Sequence, residues 1–237
     1  MNEVEGEGIG RLSIVATPIG NMGDITFRGL WNLKEANAIY AEDTRVVAKL
    51  LAHYGLRTSV FRLDAETEIK KAKEVAERLE RGEHVAYVSD AGTPGISDPG
   101  ARLVAYIREH VPEAKIDSIP GPSALTAALS IAGLSGDAFT FLGFLPHKKG
   151  RQTALKKIAA SEYPTVLYES PHRIIKLLAE MEKLIPDARI TIGRELTKMH
   201  EEVLVGKPAE LADRLEKKKG VRGEFVVIIE GTVGTRK

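Results

Sequence analysis

A glycine- and proline-rich loop, Asp90–Gly100, most constrains what this chain can fold into. It contains three glycines and two prolines, and it lies between a strand predicted over His84–Ser89 and a helix predicted over Ala101–His110. Glycines let the main chain approach a ligand, prolines hold the loop in one shape, and ligands bind at the carboxyl ends of strands in open α/β sheets. We interpret it as a ligand loop rather than a turn kept tight for packing. Asp98 is expected to cap the helix and Pro99 to lie in its first turn.

Strands and helices alternate along the first half of the chain. Strands are predicted over Leu12–Thr17, Ala38–Ala41 and Lys115–Ile119, with helices between them, which indicates an α/β fold with a parallel, doubly wound sheet. The second half alternates less regularly, so we expect a mixed sheet with helices in a second domain. The stiff segment Pro120–Pro122 places the boundary between residues 1–120 and residues 121–237.

The loops that follow the predicted strands do not match two common nucleotide-binding patterns. The first loop, Pro18–Asp24, lacks the G-x-G-x-x-G fingerprint of dinucleotide sites, and the Walker lysine pattern is absent from the sequence. A nucleoside-like ligand held by backbone groups is more consistent with glycine-rich strand ends.

The composition is that of an ordinary globular protein. The chain has 237 residues, 43% of them hydrophobic and 28% charged, with a net charge of +1 and no cysteine. Disulfides, thiolate nucleophiles and cysteine metal sites are therefore excluded. The six scattered histidines form no metal-binding motif, and no apolar run is long enough to span a membrane. We expect a cytoplasmic protein without a metal site.

Two polar clusters remain open to more than one reading. Glu42-Asp43-Thr44-Arg45 fits helix capping and function equally well, since acidic residues favour helix N-termini. Lys148-Lys149-Gly150-Arg151 follows a predicted strand beside His147, which raises it from a solvated turn to a candidate phosphate site.

Seven motifs, in order along the chain, carry a resemblance to a known family. The chain resembles the small-subunit ribosomal RNA methyltransferases of the tetrapyrrole methylase superfamily over nearly all of residues 12–230. The motifs are Ile19–Thr26, Glu42–Arg45, Asp90–Gly100, Pro120–Ala124, Gly143–Pro146, Tyr168–Arg173 and Arg194–Lys198.

The resemblance implies a two-domain tetrapyrrole-methylase-like fold that binds S-adenosylmethionine (SAM) in a cleft between the domains and forms a homodimer. It implies methylation of the ribose 2′-oxygen of a decoding-site cytidine in 16S rRNA, with free RNA or the small ribosomal subunit as the partner. The positions that match the family's SAM-binding residues are Pro18, Gly92, Thr93, Ile96, Ser123, Ala124, Tyr168, Glu169 and Leu196.

Methyl transfer to a ribose hydroxyl requires that its proton leave, to a carboxylate or to water, and that cationic groups hold the RNA. Asp24, Glu42 and Asp43 are the candidates for proton acceptance or substrate orientation. The candidates for RNA contact are Arg28, Arg45, Lys148, Lys149, Arg151, His172, Arg173 and Lys198.

The sequence departs from the family in two places. Residues 64–68 replace a segment that usually contains histidine and asparagine, which puts the contact made there in doubt. Longer members also continue past the last predicted strand, so RNA contacts made by that region are expected to be replaced or absent. A tetrapyrrole or protein side-chain methylase of the same superfamily, and a non-catalytic RNA-binding assembly factor on the same scaffold, remain alternatives.

Overall fold

The structure, a computed structural model, describes residues 8–134, 138–217 and 221–231. The chain divides into two compact units, Met1–Ser123 and Ala124–Lys237, and each contains a five-stranded sheet. The predicted fold class, a parallel sheet in the N-terminal part and a mixed sheet with helices in the C-terminal part, is confirmed.

The first unit alternates strands and helices. Its elements are β1 (Arg11–Val15), α1 (Phe27–Glu35), β2 (Ala38–Ala41), α2 (Thr44–His53), β3 (Val60–Arg62), α3 (Glu68–Glu80), β4 (His84–Val88), α4 (Ala101–His110) and β5 (Lys115–Ile119).

The first sheet is parallel throughout and has the strand order β3-β2-β4-β1-β5. All five residues of β4 are buried, as expected for a strand covered on both faces. Val85 and Tyr87 belong to the apolar cluster that includes α3 and α4, whereas Ala86 and Val88 belong to the one that includes α1 and α2. Because successive side chains of a strand point to opposite faces, this division shows a doubly wound sheet.

Side-chain caps fix the starts of two helices that leave the carboxyl edge of this sheet. The Thr26 hydroxyl accepts a hydrogen bond from the Gly29 N–H at the start of α1 (3.0 Å). The Asp43 carboxylate accepts one from the Arg45 N–H at the start of α2 (2.8 Å). Both satisfy donors that a helix end leaves without an intrahelical partner.

The predicted cap of α4 is wrong. Gly100, not Asp98, occupies the N-cap position, and Pro99 precedes the helix because its first residue is Ala101. Gly100 has no side chain to cap the helix, and a carboxylate from a distant helix, that of Glu68, accepts the hydrogen bonds of the first turn.

The second unit mixes helices with strands of both directions. Its elements are α5 (Ala124–Ile131), β6 (Thr140–Phe144), α6 (Arg151–Ala159), β7 (Thr165–Glu169), α7 (Ile174–Leu184), β8 (Ile190–Arg194), β9 (Glu202–Gly206), α8 (Pro208–Glu216) and β10 (Phe225–Ile229).

The second sheet has the strand order β6-β7-β10-β8-β9. Among the described strands of this second sheet, only β6 and β7 pair in parallel, and β10 lies antiparallel to both β7 and β8. Leu167, Ile192 and Val227 lie in one apolar cluster with Leu155 of α6 and Leu178 of α7. An apolar core therefore lies between this sheet and the helices that follow β6 and β7, α6 and α7.

In the part of the chain that the structure describes, no helix is long and apolar enough to cross a membrane.

Candidate functional site

Three loops follow neighbouring strands at the carboxyl edge of the first sheet. We call them the β1 loop (residues 16–25), the β4 loop (residues 89–100) and the β5 loop (residues 120–123). Their strands are adjacent in the order β4-β1-β5 and run parallel, so all three loops begin at the same edge. Such an edge is where open α/β sheets bind their ligands.

Hydrogen bonds join the three loops directly. The main chains of Thr17 and Gly92 form an antiparallel bridge, with N···O distances of 2.9 and 3.1 Å. The Thr93 hydroxyl donates to the Pro122 carbonyl (3.2 Å). The β4 loop is thereby held between its two neighbours.

A residue larger than glycine could occupy position 92 only if neighbouring atoms moved. Its φ is +81°, in the left-handed region that favours glycine. A Cβ there would lie 3.3 Å from the Ile19 side chain and 3.6 Å from the Pro122 carbonyl oxygen. The bridge between the loops therefore depends on the absence of a side chain.

The predicted cofactor-binding residues of the first unit all lie on these three loops. Pro18, Thr93 and Ser123 are half-buried, Gly92 is buried, and Ile96 is exposed. The structure thus brings this part of the prediction to one edge of one sheet.

An acidic group lies where β2 ends. The half-buried Glu42 has its pKa raised, first by burial and then by the charges of Asp90, Asp98, Asp64 and Asp43. Such a carboxylate holds a proton more readily than an ordinary glutamate, because neighbouring negative charges and desolvation both disfavour its ionised form.

Asp43 has the opposite electrostatic environment. Its carboxylate binds the Arg45 side chain as well as capping α2, and these bonds lower its pKa to about 2. Its backbone N–H donates to Asp90 Oδ1 (2.9 Å). Capping and function were equally open for this cluster, and the structure shows Asp43 as a cap.

Asp24 and Arg28 lie on either side of the start of α1. Asp24 ends a 3-10 turn, Met22–Asp24, and its Oδ2 is buried without a hydrogen-bond partner among the described residues. The exposed Arg28 donates to the carbonyl of Ser118 in β5 (3.3 Å). The hydrogen bond to Ser118 thus holds the Arg28 side chain close to the carboxyl end of β5.

The predicted cofactor residues of the second unit lie at three element ends. Ala124 begins α5, while Tyr168 and Glu169 end β7. The Glu169 side chain is fully buried and accepts a hydrogen bond from the Ser170 N–H (2.9 Å). Its carboxylate therefore shapes the turn after β7.

Leu196 lies in a strained turn after β8. The residues on both sides of it, Glu195 and Thr197, have φ of +51° and +67°, a conformation that costs non-glycine residues free energy. Leu196 itself is buried, and a Cβ on Gly193 would lie 3.1 Å from its side chain. The turn holds Leu196 against the backbone of β8.

The predicted RNA-contacting cations differ in their exposure to solvent and in whether they pair with other groups of the protein. Lys148, Lys149 and His172 are exposed. Arg45 is exposed as well, although its guanidinium pairs with Asp43 at 2.6 Å. These residues present charge or a ring nitrogen at the surface.

Arg151 is a correction to that prediction. It is only 3% exposed and donates three hydrogen bonds to Glu180, at 2.6, 3.0 and 3.3 Å. Its Nη1 lies 3.7 Å from Glu169 Oε2. The motif predicted a phosphate ligand, but the first turn of α6 points this residue into the unit, where a buried cation requires a partner.

Arg173 and Lys198 also make intramolecular contacts. Arg173 donates to the Leu145 carbonyl (2.6 Å) and its Nε lies 3.3 Å from Glu169, so it joins the ends of β6 and β7. Lys198 bridges Glu195 (2.9 Å) and Glu224 (2.8 Å).

Two residues at these sites were not singled out from the sequence. Glu180, the partner of Arg151, lies 29 positions away on α7, and no local pattern pairs them. Glu68 lies in the segment that departs from the family. No local pattern links it to α4, which begins at Ala101.

We predict that Arg151→Ala lowers the free energy of unfolding by about 3–5 kcal/mol, because it removes a buried cation that pairs with Glu180 and lies beside the buried Glu169. Chemical denaturation measures the change. Lys148→Ala is the control, since replacing an exposed lysine changes stability by at most about 0.5 kcal/mol. Equal stability of the two variants would contradict the structural role of Arg151.

Comparisons with known proteins agree with this geometry. The family described as Tetrapyrrole (Corrin/Porphyrin) Methylases matches residues 11–212. Ribosomal RNA small subunit methyltransferase I of Thermotoga maritima is 42% identical over 94% of this chain and 99% of its own. The protein of the same name from Borrelia garinii subsp. bavariensis is 45% identical over 92% and 97%.

A solved structure shares the fold at low identity. Uroporphyrin-III C-methyl transferase from Thermus thermophilus, complexed with S-adenyl homocysteine, superposes with a TM-score of 0.64 and 19% identity, covering 94% of this chain and 98% of that one. The chain belongs to the tetrapyrrole methylase family and, within it, to the group of ribosomal RNA small subunit methyltransferase I.

Proposed function

We propose that this protein is a SAM-dependent methyltransferase that modifies the ribose 2′-oxygen of a cytidine in the decoding region of 16S rRNA. Relatives that carry the rRNA methyltransferase name match more than nine-tenths of the chain. The observation that carries the proposal is the hydrogen-bonded set of three loops at the carboxyl edge of the first sheet.

The residues present fit SAM as the cofactor. The β4 loop offers exposed backbone groups at Gly95, a positive-φ glycine where no side chain blocks a ligand's approach. The main chain of Gly92 is bonded to Thr17 and holds the loop in place. SAM supplies an electrophilic methyl group on a sulfonium centre. We assign its binding to the residues predicted from the family, namely Pro18, Gly92, Thr93, Ile96, Ser123, Ala124, Tyr168, Glu169 and Leu196.

Of the three acidic candidates, Glu42 is the best proton acceptor. Its raised pKa makes it a stronger base than an ordinary glutamate. Asp43 is the weakest base, because its pKa is about 2 and its oxygens are engaged by Arg45. We assign Asp24 to substrate orientation, since its buried Oδ2 has no partner among the described residues.

RNA contact falls to cations that remain exposed at strand ends. Lys148 and Lys149 are exposed after β6, and Arg28 is exposed beside β5. We place Arg45, Arg173 and Lys198 in supporting roles, because each of them also binds groups of its own unit. His172, which is exposed, is assigned a supporting role as well. Arg151 is omitted because it is buried.

The proposal includes a homodimer that acts in the cytoplasm, where small ribosomal subunits are found. Phe27 is 94% exposed and Trp31 is 52% exposed, and residues four apart share a helix face. An aromatic stripe of this kind on α1 supports a second copy as its partner. Sedimentation equilibrium showing a mass of one chain would refute the dimer.

We predict that Gly92→Val abolishes measurable SAM binding, because the new side chain meets Ile19 and the β5 loop. Titration calorimetry measures the affinity. Gly55→Val is the matched control: its φ is +68°, but no described atom lies within 4 Å of its Cβ position. Unchanged affinity in a folded Gly92→Val protein would place SAM elsewhere.

We predict that the double variant Lys148→Ala/Lys149→Ala weakens RNA binding and flattens its salt dependence by about 1.4–1.8 in the log–log slope, as expected for two lost phosphate contacts. SAM affinity should not change. The control is Lys156→Ala/Lys157→Ala, which removes two exposed charges from α6. A slope equal to that of the wild-type protein would show that Lys148 and Lys149 do not bind RNA phosphate.

We predict that the methylated nucleotide resists alkaline cleavage, because a methylated 2′-oxygen no longer attacks the adjacent phosphate. Mass mapping after incubation with unmodified small subunits locates the position. Cleavage at the methylated nucleotide would exclude the ribose as the acceptor.

The rate of methyl transfer to unmodified small subunits tests the proton acceptor. Glu42→Gln should lower kcat by about 10²–10⁴-fold while sparing SAM affinity, whereas Asp43→Asn should act mainly through the start of α2.

A further inference from the structure

The N-terminus of α4 is capped by a residue from another helix. Glu68, the first residue of α3, is 4% exposed. Its Oε1 accepts hydrogen bonds from the backbone N–H groups of Gly100 (2.9 Å), Arg102 (3.0 Å) and Leu103 (3.0 Å). A single carboxylate oxygen therefore satisfies three main-chain donors at the end of the β4 loop.

The local sequence cannot provide this cap itself. Gly100 occupies the N-cap with φ +123°, and a Cβ there would lie 2.6 Å from Cε1 of the Tyr87 ring. Serine or aspartate, the usual caps, cannot replace glycine at this position. The N–H groups of a helix start need an acceptor, and the positive end of the helix dipole favours a carboxylate.

Glu68 forms the second of two anchors on the β4 loop. The first anchor is the bridge of Gly92 to Thr17, together with the hydrogen bond of Thr93. Between the anchors the loop is exposed at Ile96 and takes positive φ at Gly95 (+82°) and Ser97 (+65°). The shape of this exposed middle is set by its two fixed ends.

We infer that Glu68 is a positioning residue for SAM binding, acting through the backbone of Gly100–Leu103 rather than by touching the ligand. The inference rests on the proposed placement of SAM against the β4 loop. It gives a role to the segment 64–68, whose departure from the family left its contact in doubt. Fixing the loop before SAM arrives reduces the ordering cost of binding.

The test compares variants that differ in reach and charge. Glu68→Asp keeps the charge but withdraws the carboxylate by one methylene. Glu68→Gln keeps an oxygen in reach of the three donors but makes it neutral. Val75→Ala is the matched control, because Val75 lies on the same helix and is fully buried, so its truncation destabilises the unit without touching the cap.

SAM affinity is measured by calorimetry on the full-length chain, beside thermal melting and hydrogen exchange at residues 100–103. Glu68→Asp should raise the Kd for SAM about tenfold, as expected for lost hydrogen bonds to a charged group. Glu68→Gln should raise it about threefold, because neutral acceptors bind more weakly. Both should exchange faster at residues 100–103, while Val75→Ala should melt earlier with an unchanged Kd.

A folded Glu68→Asp protein with a Kd within about twofold of the Val75→Ala control would overturn the inference. If Glu68→Asp does not fold, the Kd of Glu68→Gln is compared with that of Val75→Ala instead, and a Kd equal to the control overturns the inference. Failure of the proposed placement of SAM is distinguishable, because it would appear as unchanged SAM binding in Gly92→Val. Failure of the proposed function would appear as no SAM binding by the wild-type protein. Loss of binding in Gly92→Val together with normal binding in Glu68→Asp would reject only the role of Glu68.

Discussion

The structure of the candidate site depends on the main-chain bridge between Thr17 and Gly92. Parallel strands bring the ends of β4, β1 and β5 to one edge, but adjacency alone does not fix the loops. The bridge and the Thr93 hydrogen bond hold them to one another. The residue at position 92 is constrained by its backbone, because φ is +81° there and a Cβ would lie 3.3 Å from the Ile19 side chain.

Three carboxylates near this edge differ in their burial and in the charges beside them. Asp43 has a cation and a helix N-terminus beside it, so it is a stable anion with a lowered pKa. Glu42 is desolvated among other carboxylates, so its pKa is raised and it is suited to accepting a proton. Glu68 is buried against three N–H donors and acts on the backbone. The identity of these residues as aspartate or glutamate would not by itself have indicated these differences.

In the second unit, buried ion pairs determine which cations reach the surface. Arg151 pairs with Glu180, and Arg173 joins Glu169 to the carbonyl of Leu145. Both arginines stand in motifs with basic neighbours, yet Arg151 joins α6 to α7 and Arg173 joins the ends of β6 and β7. Lys148 and Lys149 remain exposed. The charge available to a polyanionic substrate is therefore smaller than a count of basic residues suggests.

The sequence by itself determined the strand–helix alternation, the parallel and mixed sheets, and the loops that carry the candidate site, because hydrophobic periodicity and glycine–proline punctuation are local signals. Tertiary structure alone decided the partner of each charged side chain. Glu68 caps α4, whose N-cap residue, Gly100, lies 32 residues beyond it, and Arg151 turns inward to a carboxylate on α7. Such pairings depend on how helices pack against a sheet, and packing brings together residues that no window of sequence contains.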